Sequence, residues 1–450
     1  MANYVAYPVY APDGFPSSWE QKRLRFALKM NPSKGEIDLE HSDLVSFVPM
    51  DAVGEYGGIR LSEEKELGEI GSGYTYFRDD DVVVAKITPC FENGKGALAK
   101  GLSNKTAFGT TELHVMRADR EQLEPEFLFY LTTSDLFRKF GESEMYGAGG
   151  QKRVPESFIK DFRVGFPSIG EQQTIARFLD FKTAQIDALI AKKKSLLDKL
   201  AEKRTALISH AVTKGLDSSV PMRDSGVAWL REIPAHWDAK RLKFVVSIFG
   251  GGTPNTGKPE YWNGDIPWVS PKDMKSDFIE TTEDYLTEIG VAESATKIVS
   301  VDSVLIVVRS GILRHTIPVA RNTVEVSLNQ DMKALVADER LRPGFIHWFI
   351  SGLQERLLPI WSKQGCTVES IEMDYMGNTV ILLPPVEEQD AILETIQEIT
   401  AKLGAQSEKV AAVISSLIEY RSSLITHAVT GKIDVRDFQI PQPAEVQETA

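Results

Sequence analysis

Only two cysteines, Cys90 and Cys366, occur in 450 residues. That is too few for a disulfide framework or a cysteine zinc cluster, so a reducing, cytoplasmic setting is expected. Long apolar runs are missing as well: Val304–Val308 is closed off by Ser303 and Arg309, which excludes a membrane span there. The opening residues, Met1 to Pro12, lack the basic start and apolar core of a secretory leader. Positive charge is scarce, with 51 Lys and Arg against 64 Asp and Glu and a net charge of −13. Such a chain is a poor unaided binder of polyanions unless its basic residues cluster or partners supply phosphate contacts. Catalytic motifs are absent too. Asn31-Pro32-Ser33-Lys34 is not the Asn/Asp-Pro-Pro-aromatic motif of an amino-methyltransferase. Gly252 to Lys258 approaches a phosphate loop, but Pro259 stands where a metal-binding Ser or Thr is required. His210 and His427 lie far from any carboxylate–nucleophile pair, and no resident metal or cofactor is expected.

What the chain does contain, it contains twice. Glu171-Gln172-Gln173 opens a long helical stretch ending Arg204…His210-Ala211-Val212-Thr213, and Glu388-Gln389-Asp390 opens another ending Arg421…His427-Ala428-Val429-Thr430. The offset is 217 residues at both ends, with no gap between them. Each half also begins alike: Pro16, Trp19 and Lys22-Arg23-Leu24 against Pro234, Trp237 and Lys240-Arg241-Leu242. Between these echoes the halves differ. The order predicts an α+β protein with a pseudo-two-fold repeat: a variable domain over 14–166, a helix over 167–214, a second variable domain over 232–383 and a second helix over 384–431. The tail 432–450, rich in Gln, Pro and Glu, is expected to be disordered.

In the second stretch, Ile392, Ile396, Ile399, Leu403, Gln406, Val410, Val413, Leu417, Tyr420, Leu424 and His427 alternate steps of four and three, the seam of a coiled coil. The same seam in the first stretch runs from Ile175 to His210 through Leu179, Ile186, Leu189, Leu196, Leu200 and Leu207, interrupted by Lys182, Lys193 and Lys203. Residues 171–214 hold nine Lys/Arg against five Asp/Glu, a net +4, and residues 388–431 hold three against six, a net −3. Unlike charge favours pairing of the two helices within one chain, and connectivity favours the antiparallel direction. A helix of about 42 residues spans roughly 63 Å. Two dissimilar heads on such a rod would suit duplex DNA carrying two different half-sites with an unread gap. A coiled-coil scaffold with protein-binding end domains is the rival reading.

Val82–Ile87 and Val304–Val308 read as buried strands, and Phe127–Phe140 and Phe345–Leu358 as helices. Base-reading residues are expected on loops beside these strands. In the first half the candidates are Lys86, Thr88, Lys95, Gln151, Lys152 and Arg153. In the second they are Arg309, Ser310, Arg314, His315, Lys363 and Gln364. Arg23 and Arg241 are expected to be structural, beside the recurring tryptophan.

The openings at Pro16/Trp19 and Pro234/Trp237, the Pro-x-x-x-Glu-Gln helix starts at Pro167 and Pro384, and three segments of the second half carry a family resemblance. Those segments are Gly251-Gly252-Thr253-Pro254 with Pro259-Glu260-Tyr261-Trp262, Asp265-Ile266-Pro267-Trp268-Val269, and Lys272-Asp273-Met274. In this order, from Trp19 to Lys432, they resemble the DNA-specificity subunit of type I restriction–modification systems. The first half lacks the Gly-Gly-Thr-Pro segment. The resemblance implies two target-recognition domains, each reading one half-site, in a subunit that is not itself catalytic. Thr253, Lys258 and Lys272, which lie in or beside those segments, are further candidate DNA contacts. The resemblance also implies docking of two methyltransferase subunits, which hold S-adenosylmethionine, and of motor-nuclease subunits, which use ATP and Mg. The repeat-helix residues Glu171, Gln172, Arg204, His210, Glu388, Gln389, Arg421 and His427 are the candidates for that docking. A variant is a combined restriction–methylation enzyme that cuts on both sides of its site.

Overall fold

The computed structural model describes residues 14–148, 150–363, 365 and 368–441. Two long helices dominate, Ile169–Lys214 and Val386–Val429. The chain divides into two compact units, and the division cuts both helices near their middles: unit 1 takes residues up to Lys194 and from Ala412 onward, unit 2 takes Ser195–Ala411. Each unit therefore owns the start of one helix and the end of the other.

In unit 1, Ile175, Phe178, Leu179 and Ile186 of the first helix share a core with Leu424, Ile425, Ala428 and Val429 of the second. Asp187 Oδ1 lies 3.0 Å from Arg421 Nε, and Phe178 meets Phe438 edge-on, so one segment climbs as the other descends. In unit 2, Ile208, Ala211 and Val212 share a core with Ile392 and Ile396, again joining an end to a start. The helices thus run antiparallel inside each unit. The ion pair Arg421–Asp187 has its basic member on the acidic helix and its acid on the basic one. Net helix charge did not select it.

The expected seam is correct in one of its two rows along the helices, and in the other the inward place is taken by the next residue. Ile175, Leu179, Ile186, Ile392, Ile396, Leu403 and Leu424 are buried, but Leu189, Leu196 and Leu207 are 46%, 39% and 37% exposed, as are Val413 and Tyr420. The buried or half-buried face of the first helix instead passes through Thr183, Ile190, Leu197, Arg204 and Ile208. Ile186, Lys193 and Leu200 keep their expected inward places, so from Thr183 to Arg204 the inward face still alternates steps of three and four, with one row set one residue later.

Each unit carries a central, mainly antiparallel sheet and a second sheet, four-stranded in unit 1 and three-stranded in unit 2. The edge strand Phe278–Ile279 of the central sheet in unit 2 runs parallel to its neighbour. In unit 1 the central order is Leu28–Met30, Leu113–Ala118, Asp81–Ala85, Gly96–Leu98. In unit 2 it is Val246–Gly250, Met332–Ala337, Val304–Val307, Val319–Asn322, Phe278–Ile279. The run Val304-Leu305-Ile306-Val307 is wholly buried, as its unbroken apolar sequence predicts. The helix expected over 127–140 is two helices, Pro125–Thr133 and Asp135–Ser143. Ser134 sits between them with extended backbone, and its hydroxyl accepts the Phe137 N–H to cap the second. Its counterpart Pro343–Trp361 is one continuous helix.

The recurring tryptophans fasten helix ends inside each unit. The Trp19 ring lies against Gly431, where the second helix has just ended, and its Nε1 donates to Glu171 at the start of the first (3.2 Å). The Trp237 ring lies against Gly215, just past the end of the first helix, and its Nε1 donates to Glu388 at the start of the second (3.0 Å). Both glycines adopt left-handed backbone, φ +72° and +76°, the conformation that terminates a helix without a Cβ penalty. The expected disorder after Lys432 does not hold for the first part of that tail. Ile433, Val435 and Phe438 pack onto the core of unit 1, because a few apolar residues among polar ones suffice to dock the segment.

Arg204 donates to Asp277 (3.0 Å), and the same carboxylate lies 3.5 Å from the fully buried His347. His347 first, then Arg204, holds the Asp277 carboxyl below its ordinary value of 3.8 despite burial. A depressed carboxyl contributes stability above its unfolded pKa, and that contribution is lost as pH falls through the folded one. The stability of unit 2 should therefore fall below about pH 4 more steeply in the native chain than in Asp277→Asn. Parallel urea-midpoint profiles between about pH 5 and pH 3 would refute the assignment.

Candidate nucleic-acid interface

In unit 1 the buried strand Asp81–Ala85 runs out into Lys86-Ile87-Thr88, and the backbone there pairs with the returning segment 152–154. Val154 N–H donates to Lys86 O (2.8 Å), Thr88 N–H donates to Lys152 O (3.0 Å), and Ile87 bridges Arg153. Arg153 also exchanges both backbone hydrogen bonds with Tyr146. This ladder brings Lys86, Thr88, Gln151, Lys152 and Arg153 onto one edge, with Gln151 and Lys152 exposed. The Arg153 guanidinium grips Glu112 with two bonds, Nε at 2.9 Å and Nη2 at 2.7 Å. That pairing holds the Glu112 carboxyl below its usual range. The acid thereby orients the guanidinium of a side chain that stays 41% exposed.

Two candidates of this half are used internally. Lys95 donates to Met50 O (3.0 Å) and bridges Glu55 through its backbone, so it ties two loops together and is no phosphate donor. The Thr88 hydroxyl bonds Glu92 and Lys152 O. Sequence reasoning missed Arg138, which is wholly buried under this loop. Its Nη1 donates to Phe91 O (3.0 Å), its Nη2 to Gly94 O (3.4 Å), and its plane lies 4.8 Å from the Phe91 ring. Burial lowers its pKa to about 10, so it stays charged at neutral pH. The available signal was an arginine directly after a core phenylalanine, with Gly141 one turn later leaving room for Phe91.

Unit 2 builds the same ladder with other side chains. Val304–Val307 runs out into Val308-Arg309-Ser310. Ile371 N–H donates to Val308 O (2.8 Å), Ser310 N–H donates to Glu369 O (3.0 Å), and Arg309 bridges Ser370. Arg309 pairs with Asp331 (2.5 Å), Arg314 with Glu369 (3.1 Å) and Lys363 with Glu372 (3.4 Å). Asp331 immediately precedes the strand Met332–Ala337, as Glu112 precedes Leu113–Ala118, so the orienting acid has one place in both units. The arginine comes from the returning segment in unit 1 and from the strand end in unit 2. His315 is exposed nearby, and the Thr253 hydroxyl bonds Gln330, beside Asp331. Gln364 lies outside the described residues.

Lys258 and Lys272 do not join this cluster. Lys258 bonds the Tyr261 hydroxyl and pairs with Glu293, and Lys272 lies 3.8 Å from Glu283, around the smaller sheet formed by Trp262–Val269, Asp284–Leu286 and Ser327–Leu328. The Gly252–Lys258 segment leads into a short 3₁₀ turn, Pro259–Tyr261, and not into the α-helix start that a phosphate loop requires.

The docking candidates are largely internal struts. Gln172 is fully buried. Its amide donates to Gln122 O and Pro167 O (3.0 Å each) and accepts from Glu124 N–H (2.9 Å). Gln389 repeats this with Arg340 O, Pro384 O and Arg342 N–H at 2.8–2.9 Å. Neither can face a partner, which corrects that expectation. A buried amide with every bond satisfied is a fold device that polarity alone conceals. Glu171 and Glu388 serve the tryptophans. Arg204 stacks on Trp348 and Arg421 on Tyr56. The His427 ring meets the Ser423 hydroxyl, while His210 is exposed.

Among the described residues no group of three or more His, Cys, Asp or Glu could hold a metal, and no helix is long and apolar enough to cross a membrane.

Comparison with known proteins agrees with this architecture. The EcoEI specificity subunit of a type I restriction enzyme from Escherichia coli is 40% identical over 165 residues, 36% of this chain and 27% of that protein. The EcoR124I/EcoR124II specificity subunit, also from Escherichia coli, is 39% identical over 160 residues, 35% of this chain and 40% of its own length. This chain thus spans well under half of these relatives in the matched region. A solved chain, described under complex assembly and conformational transition of the type I R-M system, shares the fold at a TM-score of 0.73. It is 19% identical and covers 93% of this chain and 99% of its own. The family model for the type I restriction modification DNA specificity domain matches residues 65–199 and 234–412, one stretch in each half. With that model matched across most of its length, the twice-built chain belongs to the type I restriction–modification DNA specificity family.

Proposed function

We propose that this chain is the DNA-reading subunit of a type I restriction–modification assembly in the cytoplasm. Each unit meets a different half of a split, asymmetric site on double-stranded DNA. The reading is supported above all by the ladder built twice: one backbone device and one orienting acid, fitted with different donors. Shared geometry suits a shared target class, and different side chains suit different base sequences. The chain performs no chemistry itself. It carries two methyl-transfer subunits that hold S-adenosylmethionine, and motor-nuclease subunits working with ATP and Mg join them for cleavage. Its net charge of −13 agrees with partners supplying much of the phosphate contact.

Genome-wide mapping of methylated adenine, after co-expression with a type I methyltransferase subunit from the same genome, tests the reading. A split motif is expected. Arg153→Ala should relax or weaken one half of it by about tenfold to a hundredfold, and Arg309→Ala the other half. Methylation at no split motif would refute the function. Loss of the same half in both variants would refute the division of labour.

A further inference from the structure

The opening echo of each half continues further than its tryptophan. Lys22-Arg23-Leu24-Arg25-Phe26 corresponds to Lys240-Arg241-Leu242-Lys243-Phe244. Both form a strand running into a 3₁₀ turn, Leu24–Phe26 and Leu242–Phe244, pinned by a buried leucine. At the end of the turn the phenylalanine stands out from the surface, 63% exposed in both units. A single exposed aromatic is unremarkable. Two at one repeat position, on units whose surfaces otherwise differ, are not needed by the fold, because neither ring is buried.

The turns are braced identically. The Gln122 amide donates to Phe26 O (3.3 Å), and the Arg340 guanidinium donates to Phe244 O (2.9 Å). The carbonyls of those same two residues accept from the buried Gln172 and Gln389. The repeated helix start thus holds a repeated surface feature in place. In both units that feature lies at the end of the central sheet away from the ladder. Leu28, two residues after Phe26, pairs with Ala118, whereas Ala85, just before the ladder, pairs with Leu113. Val246, two residues after Phe244, pairs with Ala337, whereas Val307 pairs with Met332. Four or five residues of strand separate the two ends, roughly 13–17 Å.

Two different half-sites of DNA would not be met by one unchanged side chain on the sheet end opposite the reading edge. One protein present in two copies would be. We propose that Phe26 and Phe244 are the anchors by which two copies of the same methyl-transfer subunit dock, one on each unit. Each ring enters an apolar pocket of that subunit, while Arg25 stays paired with Asp161 beside its own ring. This inference rests on the proposed function and gives its partner a contact point off the long helices.

The test uses Phe26→Ala, Phe244→Ala and the double variant in the full chain, each mixed with a type I methyltransferase subunit from the same genome and measured by native mass spectrometry and sedimentation. Native chain should carry two copies, each single variant one, and the double variant none at the same concentrations. The affinity of the affected site should fall at least tenfold, with urea midpoints unchanged because the rings are exposed. Two copies bound by the double variant with undiminished affinity would overturn the anchor while leaving the proposed function standing. So would unchanged docking accompanied by loss of DNA binding or of chain self-association. Failure of the native chain to bind any methyltransferase would remove both.

Discussion

Trp237→Ala is expected to unfold unit 2 under conditions where unit 1 survives. The ring is almost fully buried, meets Phe345 edge-on at 6.4 Å, covers Gly215 and bonds Glu388. Truncating a buried tryptophan costs about 3–5 kcal/mol, a large share of the ~5–15 kcal/mol that holds a domain folded. The bond to Glu388 is lost as well, so the joint between the end of one long helix and the start of the other opens. Hydrogen exchange should show fast exchange through Val304–Val307 and Met332–Ala337 with little change in Asp81–Ala85. A single urea transition with an unaltered midpoint would refute this.

Arg138→Leu should remove recognition by unit 1. Leucine fills part of the space but removes one of two donors from each carbonyl, at about 0.5–1.5 kcal/mol per lost bond. Phe91 O keeps the Gly94 N–H and Gly94 O keeps the Tyr56 N–H (2.9 Å each). The native arginine carries an opposing cost, since burial lowers its pKa to about 10, and leucine relieves it. The net stability change should therefore be modest, and the main loss should be order in the loop 89–95. That loop stands beside the ladder at Lys86–Thr88, so DNA affinity should fall about a hundredfold, confined to the half-site lost in Arg153→Ala. Undiminished methylation of that half would show that Arg138 is only a packing residue.

The repeat was legible in the sequence because one joint, a tryptophan against a helix start and a helix end, is built twice from the same residue types. The strands Asp81–Ala85 and Val304–Val307 were legible because burial on both faces leaves an unbroken apolar run. The mid-helix seam was only half legible, since a heptad count does not decide which of two neighbouring apolar residues, Leu189 or Ile190, Leu196 or Leu197, turns inward. Gln172 and Gln389 were misread as surface residues because glutamine betrays nothing of a fully bonded burial. Arg153 and Arg309 were candidates from the sequence, but their pairing with Glu112 and Asp331 was not legible, since those acids lie 41 and 22 residues away and meet their arginines only through sheet pairing.

One consequence follows from the way the long helices are shared between the units. Unit 2 is a single uninterrupted stretch, Ser195–Ala411, whereas unit 1 needs residues from Ala412 onward to finish its core. During synthesis the later-encoded body can fold first. The earlier one must wait at the ribosome with Ile175, Leu179 and Ile186 uncovered until Leu424, Ile425 and Val429 emerge. Truncated nascent chains that stop before those residues should therefore recruit chaperones through their amino-terminal half, inverting the usual amino-terminal-first order of domain folding.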